Sequence, residues 1–331
     1  MKVNNGARRL PDGPAPHSWS ETGRLWLIDA LERPPWVINE HHPFSASPTT
    51  QCGSALKTID MDDPEIVTYC QYCPPGVRDI IANGTNTFVG EVDDFTVLKY
   101  PAQPGGDLRL LEHEYRVFKL VGPHPHIIAV KEFTEQGLYL ERARNGTLYH
   151  YLAEGDHTVT LQRRVAWSRH LMEALRHLHK HDIVHTDLNP SNVLLNQDLD
   201  IKLADLQCNR LSDQGETIWY GERGEPCRYY CPRANDTLAD VKTDIFALGS
   251  TIHFIMLGHE VYPDIVDGEE GWHEAITSRF EREEFPTEPH ACAAITVKCW
   301  RREYSCVDEV IDDITAIERG MQRAAATSGK L

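Results

Sequence analysis

The chain reads as an α+β protein in two lobes, a small strand-rich lobe at residues 76–144 and a larger helical one at 145–320. Three observations predict this. Apolar residues recur in short runs between residues 76 and 141, with one helical pattern set among them. After Asn145-Gly146 the apolar spacing becomes that of helices. Just past this junction, residues 183–207 place acidic and amide side chains at the ends of two short apolar runs, in the kind of inter-lobe position where sites form.

In chain order, Val77–Ala82 and Thr87–Val92 flank Asn83-Gly84, and Phe95–Tyr100 follows Asp93-Asp94, giving a three-strand meander. Asn83-Gly84 by itself reads as a type I′ hairpin turn. Residues 107–121 form a helix with Leu111, Glu114, Phe118 and Val121 along one side. Ile127–Phe133 and Gly137–Glu141 are two further strands. In the second lobe Leu161–Lys180 carries Val165, Leu171, Ala174, Leu175 and Leu178 at helical spacing. Lys242–Leu257 is a more buried helix, and His290–Arg301 and Asp308–Gln322 are two more. Residues 321–331 read as a small, polar, flexible tail. Residues 1–75 read as a partly disordered arm, since prolines and polar residues break any periodicity in the first fifty. Trp26-Leu27-Ile28 inside it is either a short docking helix or a collapsed apolar patch.

Bulk properties exclude several classes. The net charge of −17 over 331 residues argues against nucleic acid and against an anionic membrane surface, both of which need clustered Lys and Arg. No apolar signal segment is visible in Met1–Pro11. The most apolar run, Ile245–Leu257, is interrupted by Ser250, Thr251 and His253 and falls short of a membrane span. The nine scattered cysteines suit reduced thiols and an intracellular, cytoplasmic setting. Cys70-Gln-Tyr-Cys73 lacks the two further ligands a structural zinc needs. Asn83-Gly-Thr85, Asn145-Gly-Thr147 and Asn235-Asp-Thr237 match the glycosylation sequon but read as turns.

The chemistry concentrates in Ile183-Val-His-Thr-Asp-Leu-Asn-Pro-Ser-Asn-Val-Leu-Leu195 and Ile201-Lys-Leu-Ala-Asp-Leu-Gln207. Asp187 can take a proton from a hydroxyl. Asn192 and Asp205 offer hard oxygen ligands that suit Mg²⁺ better than Zn²⁺. A base beside a two-ligand magnesium site is the equipment of phosphoryl transfer.

This stretch resembles the catalytic loop and metal-binding segment of eukaryotic protein kinases, H-R-D-L-x-x-x-N followed by D-F-G. His185, Asp187, Leu188, Asn192 and Asp205 match; Thr186, Leu206 and Gln207 differ. The resemblance covers residues 76–315 and is nearest to a divergent group of kinase-like proteins from filamentous fungi. It implies a two-lobed protein-kinase fold over 76–320, ATP and Mg²⁺ as cofactors, and a protein substrate. It also implies residue roles. Thr96-Val-Leu-Lys99 resembles V-A-I-K, so Lys99 would reach the α/β-phosphates, held by Glu114, with Glu112 as the competing partner. Of the glycine-rich pattern, aligned on Ala82–Val89, only Gly84 and Val89 survive. Leu140–Ala143 would be the hinge, with Glu141 and Ala143 toward the adenine. Asn192 and Asp205 would hold the metal, and Asp187 would be the base. Thr243-Asp244-Ile-Phe-Ala-Leu-Gly249 resembles the D-x-W-S-x-G helix, in which Asp244 anchors the catalytic-loop backbone; an acid favoured by the helix dipole is the alternative. Lys298-Cys-Trp300 resembles a structural Cys-Trp. The activation segment would run from Asp205 to Arg233.

The departures carry expectations of their own. Thr186 stands where an arginine usually binds a phosphorylated activation segment, so activity should not require that switch. Leu206 can pack against His185 and Phe118. Gln207 replaces a glycine and should stiffen the metal loop. Asn189 replaces a lysine that steadies the transferring phosphate, a loss of roughly a few kcal/mol in the transition state. Arg233 replaces a glutamate and suggests a reversed ion pair with Asp308 or Glu309. Pro226-Cys-Arg228-Tyr229 looks like the Pro-x-Lys-Trp of tyrosine kinases, yet serine/threonine specificity stays ahead because that class is the commoner. Two alternatives to an active protein kinase remain: an ATP-binding pseudokinase or scaffold, and a small-molecule phosphotransferase of the aminoglycoside-kinase type.

Overall fold

The computed structural model describes residues 71–328 apart from 85, 154, 156–157, 222–223 and 236–237. The Trp26-Leu27-Ile28 patch, most of the 1–75 arm and the Cys70 half of the CxxC lie outside the described residues.

The first lobe is a five-stranded antiparallel sheet in the spatial order β1-β2-β3-β5-β4. Its strands are β1 (Asp79–Asn83), β2 (Thr87–Asp93), β3 (Thr96–Pro101), β4 (Val130–Thr134) and β5 (Gly137–Glu141), and α1 (Arg109–Val121) packs beside β4 and β5. Register decides which side chains meet. Val89 pairs with Lys99 and Lys99 with Leu138, so all three share the sheet face turned to the second lobe. The opposite face buries Phe88, Leu98 and Tyr100 under Val77. Gly90 makes that cover fit, because a Cβ there would lie 2.4 Å from Val77 Cγ1.

The helices of the second lobe are α2 (Leu148–Ala153), α3 (Leu161–His179), α4 (Val241–Leu257), α5 (Trp272–Glu281), α6 (Ala293–Trp300) and α7 (Val307–Ser328). Thr160 caps α3 by accepting from Arg163 N, and Asp240 caps α4 in a capping box with Thr243. α4 is buried almost all round. It approaches α6 so closely that a Cβ on Gly249 would sit 2.7 Å from Cys299 Cβ. Between α3 and α4 the chain forms β6 (Ile183–Val184), β7 (Val193–Leu195), β8 (Ile201–Leu203), β9 (Asn209–Leu211) and β10 (Thr217–Trp219). β7 pairs with β8, and β9 lies between β6 and β10. No described helix is long and apolar enough to cross a membrane. Cys208, Cys227, Cys231, Cys292, Cys299 and Cys306 are free thiols.

One apolar core runs through both lobes, from Val97, Leu111 and Phe118 through Leu188, Leu203 and Leu206 to Leu175, Ile252 and Ile314. Leu206 thus packs in the same cluster as Phe118, as expected. Other expectations need correction. Asn83 and Gly84 do not take the positive φ of a type I′ turn; β1 runs through Asn83, and Gly84 N donates to Thr87 O at 2.7 Å across a longer loop. Ile127 and Ile128 leave the sheet, and Ile128 N donates to Leu203 O of the second lobe at 2.9 Å. Residues 321–328 are not a tail but the end of α7, where Met321 follows Ile317 one helical turn on and both pack on the core.

Candidate active site

The site forms where β3 and α1 face the loops around β6–β8. Alternation along β3 buries Lys99 on the inner sheet face, and helical spacing along α1 buries Glu114 opposite it. Lys99 Nζ donates to Glu114 Oε2 at 2.8 Å and to Asp205 Oδ1 at 2.7 Å. The competing Glu112 is half-exposed and pairs with Arg116 instead. Glu114 also accepts from Leu206 N at 3.2 Å through its second oxygen. A single buried carboxylate therefore ties β3, α1 and the metal loop together. Burial pushes the Glu114 carboxyl up, against the pull of the Lys99 ammonium. Burial opposes the charge on Lys99, but Asp205 and Glu114 outweigh it and raise its pKa. Burial likewise pushes Asp205 up, and Lys99 more than reverses this, so Asp205 is held below the usual carboxylate range.

The catalytic-loop backbone is fixed from below. Asp244, at the start of α4 and 1% exposed, accepts from His185 N at 2.8 Å, Thr186 N at 3.0 Å and His179 Nε2 at 2.8 Å. Thr186 lies in the left-handed region at φ 65°, which is uncommon for a β-branched residue. The Asp244 bond to its N–H helps hold it there. His185 is buried; its Nδ1 accepts from Asp187 N at 3.3 Å, which leaves Nε2 to donate to Ala204 O at 3.1 Å. Burial lowers its pKa, consistent with a neutral ring.

Both oxygens of Asp187 are gripped by amides. Asn192 Nδ2 donates to Oδ2 at 2.8 Å and Asn189 Nδ2 to Oδ1 at 2.8 Å. Burial, then the Asp205 charge, pushes Asp187 up to about 8, so it holds a proton far more tightly than a free aspartate. Because the nitrogen of the Asn192 amide is used on Asp187, its carbonyl oxygen is the atom left to face a cation. Asp205 keeps its second oxygen beyond the Lys99 contact, and its side chain is 39% exposed. These two oxygens fit a magnesium ion. Among the described residues no group of three or more His, Cys, Asp or Glu is placed to hold a metal. Phosphate and water oxygens would have to complete the shell, as magnesium commonly requires.

Of the other expected residues, Val89 from β2 and Ala143 after β5 are half-buried apolar side chains packed on the shared core, as is Leu194 from β7, which the sequence did not single out. Ala143 N donates to no acceptor among the described residues, while Ala143 O accepts weakly from Gly146 N at 3.4 Å. Glu141 Oε2 meets Lys202 and accepts from Ala129 N, and its own N–H donates to Ala129 O at 2.8 Å. Gly84 turns its N–H back to Thr87 O rather than outward.

Sequence reasoning missed three features. Leu194, two residues after Asn192, is a half-buried apolar side chain packed on the shared core. Asn189 braces Asp187, where it was read only as a lost lysine. Arg233 pairs with Glu225 inside the activation segment, while Asp308 faces Arg176 and Glu309 accepts from Ser305 N. The reversed pair to the late helices is therefore replaced by a local one.

A carboxylate gripped by two amides, two oxygens that fit a hard cation and an ion-paired lysine from the facing lobe are the kinds of group phosphoryl transfer uses. Residues 98–306 match the protein kinase domain family, and the chain belongs to that family. Among its relatives, serine/threonine-protein kinase SIK1 of Rattus norvegicus is 30% identical over 161 residues, covering 46% of this chain and 20% of the relative. Serine/threonine-protein kinase SIK2 of Gallus gallus is 29% identical over 161 residues, 46% of this chain and 19% of the relative. The liver/testis phosphorylase b kinase gamma catalytic chain of Rattus norvegicus is 33% identical over 111 residues, 32% of this chain and 27% of the relative. The chain thus spans about a quarter or less of the length of these relatives.

Proposed function

We propose that the chain transfers the γ-phosphate of ATP to a protein hydroxyl, with serine or threonine favoured over tyrosine and an intracellular setting. The observation that carries this is the three-way contact of Lys99 with Glu114 and Asp205, which joins the phosphate-facing lysine to the metal-facing aspartate. In this reading Lys99 orients the α/β-phosphates as a compact charge. Asn192 and Asp205 hold Mg²⁺, which supplies charge neutralisation on the phosphates. Asp187 orients the acceptor hydroxyl and takes its proton, with Asn189 and Asn192 fixing the carboxylate. Val89 and Leu194 enclose the adenine, and Ala143 N–H offers it a donor. The serine/threonine preference draws support from the relatives named serine/threonine-protein kinases; Pro226 and Arg228 keep tyrosine as the competitor.

A second reading, a nucleotide-binding or scaffold module without transfer, draws support from one observation. The only glycine kept in the β1–β2 loop has its N–H bonded to Thr87 O, so it offers no donor to a phosphate. One assay separates the readings: purified protein with Mg²⁺ and labelled ATP, followed by phosphoamino-acid analysis. Labelled phosphoserine or phosphothreonine is the expected product. Phosphotyrosine alone would reverse the acceptor preference, and no label with intact ATP binding would establish the scaffold.

A further inference from the structure

The activation segment does not lie loose over the cleft. Its first part folds into a hairpin, with Thr217 opposite Leu211 and Trp219 opposite Arg210. Ser212 closes the turn, donating from its N to Glu216 O at 2.7 Å and accepting Gly215 N on its carbonyl at 2.8 Å. β9 continues the sheet to β6, with Val184 opposite Asn209, so the hairpin is built onto the strand that leads into the catalytic loop.

Two contacts aim this hairpin at α1. The Trp219 ring lies between Arg210, whose guanidinium carbon is 4.8 Å from the ring centre, and His113, whose ring meets it edge-on at 6.2 Å. His113 is the residue before Glu114, and its Nε2 is bonded to Cys208 O at 2.8 Å, so its ring spans from the metal loop to the hairpin. Two more contacts close the hairpin onto the metal loop. Asn209, buried, accepts Gly221 N at 2.9 Å on Oδ1. A Cβ at position 221 would fall 1.7 Å from Gln207 O and 2.5 Å from Gln207 C. Only glycine lets the chain cross there, and backbone cannot yield as a flexible side-chain end could. Meanwhile Thr186, next to Asp187, is buried and brings no charge, and its hydroxyl has no partner among the described residues.

We propose that Trp219 is a positioning residue: held between His113 and Arg210, its indole keeps α1 and the metal loop in place without a phosphate on the activation segment, and Asn209 and Gly221 latch the hairpin that carries it. The contacts stand by themselves, while what the α1 position is used for rests on the kinase reading. An indole edge-on to an imidazole and under a guanidinium contributes through aromatic and cation–π attraction. Neither contact depends on a covalent modification, so the arrangement is built in by sequence.

Backbone hydrogen exchange on the full chain, phosphatase-treated and without nucleotide, tests this without relying on catalysis. Trp219→Ala should speed exchange of residues 109–121 and 204–211 roughly tenfold, the scale of one aromatic plus one cation–π contact. α3 and α4 should exchange as in the wild type. Trp219→Phe should restore most of the protection, and Gly221→Val should reproduce the loss with Trp219 intact. Unchanged exchange in Trp219→Ala overturns the proposal, as does a wild-type protein that loses α1 protection on phosphatase treatment. Equal loosening of α3 and α4 would make Trp219 a general folding residue and also end it. A chain that shows Trp219-dependent protection but transfers no phosphate would refute the kinase reading and leave this inference standing.

Discussion

Replacing Asp244 by asparagine is the most informative single change to the catalytic loop, because it keeps size and removes one acceptor. Asp244 Oδ2 accepts both His179 Nε2 and His185 N, and Oδ1 accepts Thr186 N. Asparagine serves more donors by placing its oxygen at the Oδ2 site, which sets its NH₂ against the Thr186 N–H. One buried donor is then orphaned, at about 1–3 kcal/mol, and two charge-assisted bonds become neutral ones, at roughly 1 kcal/mol each. The sum is about 3–5 kcal/mol, or on the order of 10 °C in Tm for a domain of this size. The orphaned donor also matters locally. Thr186 sits at φ 65°, a conformation that costs about 1–2 kcal/mol for a side chain with a Cβ; with its N–H released it relaxes toward ordinary backbone and carries Asp187 with it. Turnover should therefore fall while KM for ATP changes little, since Lys99 and Asp205 are fixed from the other side by Glu114. Thermal denaturation and initial-rate kinetics on Asp244→Asn give both numbers. A variant with wild-type Tm and turnover would show that Asp244 is an acid at a helix start and nothing more.

Other substitutions separate the remaining roles. Asp187→Asn should lower kcat by about 10²–10⁴-fold with nucleotide affinity spared, because a general base acts on the transition state; wild-type turnover would remove Asp187 from the chemistry. Mg-ATP should raise the Tm of the wild type and not that of Lys99→Ala, and equal shifts in a thermal titration would take Lys99 out of the site. Acid should destabilise the fold through His253, which is 1% exposed and which burial, then His290 and His259, pushes down to about 3. The unfolded chain protonates this ring near pH 6.5 and the folded one does not, so its contribution is full above that pH and is lost as pH falls toward 3, by about 2 kcal/mol at pH 5. Urea titrations at pH 7 and pH 5 should differ less for His253→Leu than for the wild type, and an identical pH slope would refute the linkage.

The parts of the site legible in the sequence were those with a strong period or a long apolar frame. Glu114 could be chosen over Glu112 because Phe118 and Val121 recur at helical spacing from it, and the helix buries that face. Asp244 could be placed through the resemblance of Thr243–Gly249 to the D-x-W-S-x-G helix, and the structure puts that acid under the catalytic-loop backbone. What could not be read was carried by short elements and by contacts between them. β9 and β10 have three residues each, too few to show an alternation against chance. α5 buries only Ile276 and Phe280, a single i,i+4 pair inside a polar stretch. The Arg233–Glu225 pair lay eight residues apart along the chain, and alignment pointed to more distant acids because it compares positions and not folded neighbours. Gly221 gave no signal as one of two glycines in a polar stretch; only the approach to Gln207 explains it.

That approach has a pharmacological consequence. Some small molecules gain affinity by entering the space vacated when a metal-binding loop swings outward. Here the swing would drag Gln207 past a backbone crossing with no slack, and would have to unseat Gly221 and Trp219 first. Such compounds should bind this chain poorly, because the swing must first break the Gly221 N–H contact to Asn209. The selectivity would be written by a glycine that does not touch the drug.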